Sequence, residues 1–228
     1  MNVTDRTHSG TLQARRVRTE RSLIEAFGAL LAEKGFAAVG MRAVAGQAGV
    51  NKTLIYRYFG GLEGLARAYA GSVEYWPTLE EAFGAPPAEI VSLPAVDRWF
   101  ALADNYPAAI RKRPQTVEIL AWETIERNAI TIALEEPREQ FGLELVKTLQ
   151  QGVDPSVDIA ALLTIAAGTY HYFAVRSCTI DTYNGIDITS EKGVNRLTEM
   201  LRRLGSVVLG DAAHNTGEKD GTESRTHR

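Results

Sequence analysis

The chain is nearly without cysteine. Cys178 stands alone, which excludes an internal disulfide framework and any need for an oxidising compartment. Histidine is scarce too. His8, His171, His214 and His227 are the whole set, with no His/Cys spacing of the kind a metal site uses. No long apolar run exists. The longest uncharged stretch, Ile159–Val175, is interrupted by Gly168, Thr169, Tyr170 and His171, falls short of a membrane span and predicts a buried helix. The opening MNVTDRTHSG lacks the apolar segment of a signal peptide, so a cytoplasmic protein with no membrane association is expected. Gly60-Gly61-Leu62-Glu63-Gly64 lacks the lysine and the preceding strand of a phosphate-binding loop. Glu118, Glu123 and Glu126 have no spacing that pairs them with a catalytic partner. The expectation is therefore a protein that is not an enzyme and needs no cofactor or metal.

What is present is an uneven charge and a helical rhythm. The net charge is −3. Residues 1–65 carry nine Lys/Arg against five Asp/Glu, about +4, and the rest sixteen against twenty-three, about −7. A basic head on an acidic body suits a protein whose head meets nucleic acid. Sustained period-2 alternation is missing, and glycine and proline are spaced for helices. Residues 1–14 are polar and predict a disordered arm. From a cap at Thr19, Leu23, Ile24, Phe27, Leu30 and Leu31 recur on one helical face, and Lys34-Gly35 ends the helix. Further helices are expected at Met41–Gln47, Lys52–Phe59 and Leu62–Trp76, the last stopped by Pro77. Beyond a loop region around Gly84–Pro87 and Leu93-Pro94 come Ala95–Arg111, Pro114–Ile125, Arg127–Gly152, Val157–Thr179 and Ser190–Leu209. Pro107 and Pro137 are candidate breaks or kinks. Tyr183–Asp187 predicts a turn, and 211–228 a disordered tail.

The stretch from Val39 to Leu65, VGMRAVAGQAGVNKTLIYRYFGGLEGL, carries the function. Two short helices flank Gly49, which supplies a positive-φ turn, and Asn51 reads as the cap of the second. Val50 fills the angle between them. This is a helix-turn-helix, whose second helix fits a major groove. Ile55 and Phe59 lie one turn apart and should face the core. Lys52, Thr53, Leu54, Arg57 and Tyr58 then lie away from that stripe, with Tyr56 at its edge.

With Met41, Val44-Ala45, Ala48-Gly49-Val50, Lys52, Ile55-Tyr56 and Phe59 in order, and Gly35-Phe36 closing the first helix, the segment from about Thr19 to Leu65 resembles the N-terminal domain of the tetracycline-repressor (TetR) family. The resemblance implies an all-α fold. A three-helix helix-turn-helix DNA-binding head, 15–65, would precede a helical ligand-binding and dimerisation body, 66–210. It also implies a homodimer on a palindromic double-stranded DNA operator, acting as a repressor that an unknown small-molecule effector releases. A transcriptional activator or an effector-independent regulator would carry the same head. A helical enzyme would need clustered acid/base or metal-binding residues. Carried over by position, Arg42 contacts phosphate or a base, and Lys52 and Thr53 reach base edges and phosphate. Leu54 is exposed toward a thymine methyl, while Tyr56 and Tyr58 hydrogen-bond phosphates. Asn51 reads as a cap before a base reader, and Tyr56 has core packing as its alternative. Two departures remove expected contacts: Leu62 stands where a phosphate-binding lysine is common, and Gly40 where a Ser or Thr caps the second helix. Affinity must then lean on Arg42, Lys52 and Arg57. The Arg15-Arg16-Val17-Arg18 cluster is either a solubilising arm or a contact to phosphate or the minor groove.

In the body, Trp76, Trp99, Trp122 and His171 are the candidates for a ligand pocket, against ordinary core packing. For dimerisation the resemblance points to the last two helices. Ala160, Ala161, Ala166, Ala167, Gly168 and Ala174 permit close approach, and Leu197, Met200, Leu201, Leu204 and Val208 form an apolar stripe. Cys178 reads as an inert small residue.

Overall fold

In the computed structural model, residues 3–72 and 74–218 are described, with side chains for 13–72 and 74–210. The described chain is all-α apart from one small hairpin. The helices are α1 (Val3–Lys34), α2 (Met41–Gln47), α3 (Thr53–Phe59), α4 (Leu62–Ala70), α5 (Leu79–Phe83), α6 (Pro87–Ile90), α7 (Ala95–Arg111), α8 (Pro114–Glu123), α9 (Ala129–Gln150), α10 (Ile159–Arg176) and α11 (Glu191–Glu218). A 3-10 turn spans Phe36–Ala38. Two compact units result, one of Met1–Trp76 with Arg113–Arg138 and the other of Pro77–Lys112 with Glu139–Arg228. Arg113–Arg138, placed by sequence in the body, thus clusters with the helix-turn-helix.

The first unit is built on α1. Its stripe buries Leu23, Phe27, Leu30 and Leu31, with Ile24 half-buried, beside Val44 and Ala45 of α2, Ile55 of α3 and Leu65, Ala66 and Tyr69 of α4. Phe27 and Tyr69 meet with ring centroids 5.2 Å apart. The helix begins at Val3, so the expected disordered arm is helical from there on. Val3–Lys34 contains no proline, and the Arg16–Glu20 and Arg21–Glu25 ion pairs support it at i,i+4 spacing. Polarity alone does not stop a helix. The same reason carries α11 through Gly210 to Glu218, past the expected stop at Leu209; residues 219–228 of the expected tail lie outside the described residues.

α4 is shorter than expected, ending at Ala70 with Gly71 as its C-cap rather than running to Trp76. The chain turns there because Tyr75 and Trp76 have interior partners. The Tyr75 ring lies 5.7 Å from that of Tyr69, its hydroxyl donates to the Leu134 carbonyl at 2.7 Å, and its own carbonyl accepts from the Thr116 hydroxyl.

The second unit centres on α7, flanked by α5 and α11. A capping box opens α5: the Thr78 hydroxyl accepts from the Glu81 amide at 3.2 Å, and the Thr78 amide donates to the Glu81 carboxylate at 2.9 Å. The expected loop region therefore contains two short helices, with Pro87 at the first turn of α6. Sequence also missed β1 (Thr182–Tyr183) and β2 (Ile186–Asp187), an antiparallel hairpin closed by Asn184-Gly185 with φ of 50° and 75°. Two positive-φ residues in a two-residue loop match a type I′ turn, but strands this short show no alternation.

Pro107 does not break α7. It cannot donate to the Ala103 carbonyl one turn earlier, and the Tyr170 hydroxyl donates to that oxygen instead, at 3.3 Å. Burial pushes Tyr170 up to about 12 from its ordinary 10.0. An unfolded chain loses this proton first, so the stability contributed by the neutral hydroxyl is present below pH 10 and lost as pH rises from about 10 to 12. Alkaline unfolding monitored by circular dichroism is expected to show a shallower loss in Tyr170→Phe than in the native chain. An identical slope would overturn this assignment.

Candidate nucleic-acid interface

Helices α2 and α3 form the helix-turn-helix. Gly49, at φ 65°, donates its amide to the Gly46 carbonyl at 3.1 Å, and the Val50 amide follows to the Ala45 carbonyl at 2.9 Å. Val50 is half-buried. Gly40 precedes α2 in an extended conformation and offers no side-chain cap. The Asn51 side-chain oxygen accepts both from the Thr53 amide and from the Thr53 hydroxyl, each at 2.9 Å. The Asn51 oxygen thus caps the start of α3.

Ile55 is fully buried and anchors α3 from behind, with Phe59 half-buried beside it. Thr53, Tyr56 and Arg57, at i, i+3 and i+4, share the opposite face and are all exposed. Lys52 is exposed just ahead of α3, and Arg42 on the first turn of α2. The two tyrosines change places relative to expectation. Tyr56 is 61% exposed and packs in no core. Tyr58 is half-buried, with the Arg16 guanidinium 5.3 Å from its ring centroid and that of Arg57 6.0 Å away. Leu54 is likewise half-buried rather than standing free.

The candidate ligand residues do not converge as a group. Trp76 and Trp122 belong to the first unit. Trp76 packs on Tyr75 at 5.6 Å, while Trp122 lies 5.4 Å from Phe36 and donates its indole N–H to Glu118 Oε1 at 3.0 Å. That same oxygen accepts from the Phe36 amide at 3.4 Å, so Trp122 and Glu118 hold the end of α1. In the second unit Trp99 is fully buried and donates to the Leu201 carbonyl at 3.0 Å. His171 is half-buried, its Nε2 2.8 Å from the Tyr106 hydroxyl. Phe141 and Tyr170 also pack on the Tyr106 ring, each at 6.2 Å. Trp99, Tyr106 and Tyr170 line a small apolar cavity, and Pro107, Arg111 and Phe173 help to line a second, each with room for about one water molecule. Of this group the sequence favours Trp99 and His171 over Tyr106, although Phe141, Tyr170 and His171 all pack on the Tyr106 ring, since its role is set by tertiary packing alone.

These features define a helical protein whose first unit presents an exposed, partly cationic α3 on a helix-turn-helix. Residues 23–69, from the first buried leucine of α1 to Tyr69 of α4, match the family model described as bacterial regulatory proteins, tetR family. The chain carries the N-terminal domain of that family. A putative TetR-family transcriptional regulator from Rhodococcus sp. shares the fold with a TM-score of 0.60 at 18% identity, covering 85% of this chain and 99% of its own. The fatty acid degradation regulator FadR from Bacillus halodurans gives 0.56 at 16%, covering 81% and 94%. FadR from Bacillus subtilis, solved in complex with stearoyl-CoA, gives 0.56 at 16%, covering 79% and 96%. No curated protein matches the chain. Among the described residues, no helix is long and apolar enough to cross a membrane.

Proposed function

We propose that this protein is a cytoplasmic transcriptional repressor that binds a palindromic operator as a homodimer and leaves it when a small molecule occupies the second unit. The observation that carries this reading is the face of Thr53, Tyr56 and Arg57. It stands exposed on a helix pinned by buried Ile55 and capped by Asn51, with Lys52 and Arg42 beside it. A short helix with hydrogen-bonding and cationic side chains on its free face is what a major groove accepts. The basic balance of residues 1–65 supports the same assignment.

Dimerisation is supported by apolar side chains left exposed on the last two helices. Met200, Leu204 and Val208 recur every fourth residue on α11, Val207 beside them is 61% exposed, and Ile165 on α10 is 63% exposed. Leu201, expected in that stripe, is buried instead and its carbonyl takes the Trp99 indole bond. The stearoyl-CoA bound by the Bacillus subtilis protein supports a ligand-responsive body. A ligand shifts the protein off DNA only by binding the DNA-incompetent state more tightly. Trp99 and His171, with Tyr106 between them, are the residues we assign to its site.

Selection of bound sequences from a random duplex library is the test. The expected product is an inverted repeat whose half-sites lie about 10 bp, or one helical turn, apart. Recovery of no enriched sequence at low salt would overturn the assignment. Deleting the gene should raise transcription next to that operator; a fall would make the protein an activator.

A further inference from the structure

The basic cluster Arg15-Arg16-Val17-Arg18 sits on the amino-terminal part of α1, which two contacts fix beside the helix-turn-helix. Ser22 donates its hydroxyl to the Ala48 carbonyl, in the turn between α2 and α3, at 3.4 Å. Six residues earlier, about one and two-thirds turns, Arg16 reaches across to the Tyr58 ring on α3, and its guanidinium is held from behind by Glu20 at 2.7 Å. At 100° per residue, Arg15 and Arg18 fall within about 40° of Ser22 around the helix, on the flank that meets the turn, and about 10 and 6 Å before it along the axis. Both are exposed, and neither has an ion-pair partner among the described residues.

We propose that Arg15 and Arg18 form a second phosphate clamp, gripping the DNA backbone beside the groove that α3 occupies, with Arg16 as the positioning residue that braces α1 on Tyr58. This rests on the DNA-binding assignment and extends it to a segment that resemblance leaves open. The helical state of the segment decides between the two modes of binding open to a basic arm. An extended arm can thread a minor groove about 6 Å wide, but an α-helix with its side chains is about 10 Å across or more and cannot enter it. A rigid helix passing over the duplex meets phosphates, and guanidinium groups suit phosphate oxygens. The clamp adds affinity without reading sequence.

The experiment measures binding of the full chain to its selected operator and to a scrambled duplex across a salt series. R15A/R18A is expected to bind both duplexes about tenfold or more weakly, by the same factor. Its slope of log affinity against log salt should be smaller by about two, one unit for each phosphate no longer neutralised. R15K/R18K keeps both charges and should retain most of the native slope. Circular dichroism at matched concentration checks that the exposed substitutions leave the helices in place. Native affinity and slope in R15A/R18A would overturn the proposal, as would a loss confined to the operator, which indicates base reading. If the native chain binds neither duplex, the DNA-binding assignment itself falls, and the clamp with it.

Discussion

A K52A/R57A variant is expected to bind the operator about a hundredfold or more weakly at moderate salt while its fold and oligomeric state stay native. Both residues are exposed, one just before α3 and one on its free face, and substitutions at such positions change stability by about 0.5 kcal/mol or less. Their effect on DNA is larger because each cation either pairs with a base edge, at about 1–3 kcal/mol, or neutralises a phosphate. Removing two such interactions at about 1.4 kcal/mol per factor of ten gives the stated weakening. Two features of this chain enlarge it. Gly40 offers no side-chain oxygen at the start of α2, and half-buried Leu62 offers no charge at the start of α4, so fewer neighbouring groups remain to compensate. Gel shift on the selected operator checks it. An affinity within threefold of native would remove α3 as the reading helix, whatever the rest of the unit does.

The parts of the molecule that were legible in the sequence are those whose residues answer to local rules. Gly49 and Asn51 mark the turn and the cap of α3 because positive φ and an N-cap oxygen are demands of single residues. Ile55 is assigned inward by helical spacing alone, and the structure buries it completely. Where two local rules competed, sequence chose wrongly. Pro77 looked like the stop of α4, but Gly71 ends the helix earlier because Tyr75 and Trp76 gain buried partners by turning back. Polarity suggested disorder before Thr19, yet nothing in the segment breaks a helix.

The candidate ligand residues were less legible for a different reason. Trp76, Trp99, Trp122 and His171 have similar sequence credentials, and only their partners separate them. Trp122 serves the end of α1 through Glu118 and Phe36, whereas His171 meets Tyr106 across sixty-five residues of chain. No window of sequence contains that pairing. Tyr58 shows the same limit in the first unit, since the cation that meets its ring comes from α1, forty-two positions away.

Arg98 supplies the largest stability effect expected in the second unit. Its side chain is only 4% exposed, and its guanidinium donates to backbone carbonyls alone: Leu93 at 2.9 Å, Leu149 at 3.2 Å, Gln151, and Val91 at 3.5 Å. Leu149 and Gln151 lie at the carboxyl end of α9, Val91 and Leu93 just past that of α6. One planar cation therefore closes two helix ends, where unpaired carbonyls and the helix dipole both favour positive charge. Burial pulls the guanidinium below its ordinary pKa, yet an arginine stays charged at any working pH. Arg98→Met keeps the stem and removes every donor, leaving carbonyls that cost about 1–3 kcal/mol each when buried without a partner. Water will reach some of them, so a total loss of about 3–5 kcal/mol is expected, a fall in Tm of about 10 °C for a chain of this size. Arg98→Lys, with one compact ammonium in place of a planar fork, cannot serve both helix ends and should recover less than half of it. Thermal and urea unfolding with an unchanged m-value check the prediction, and a shift below about 2 °C in Arg98→Met would show that these helix ends find other partners.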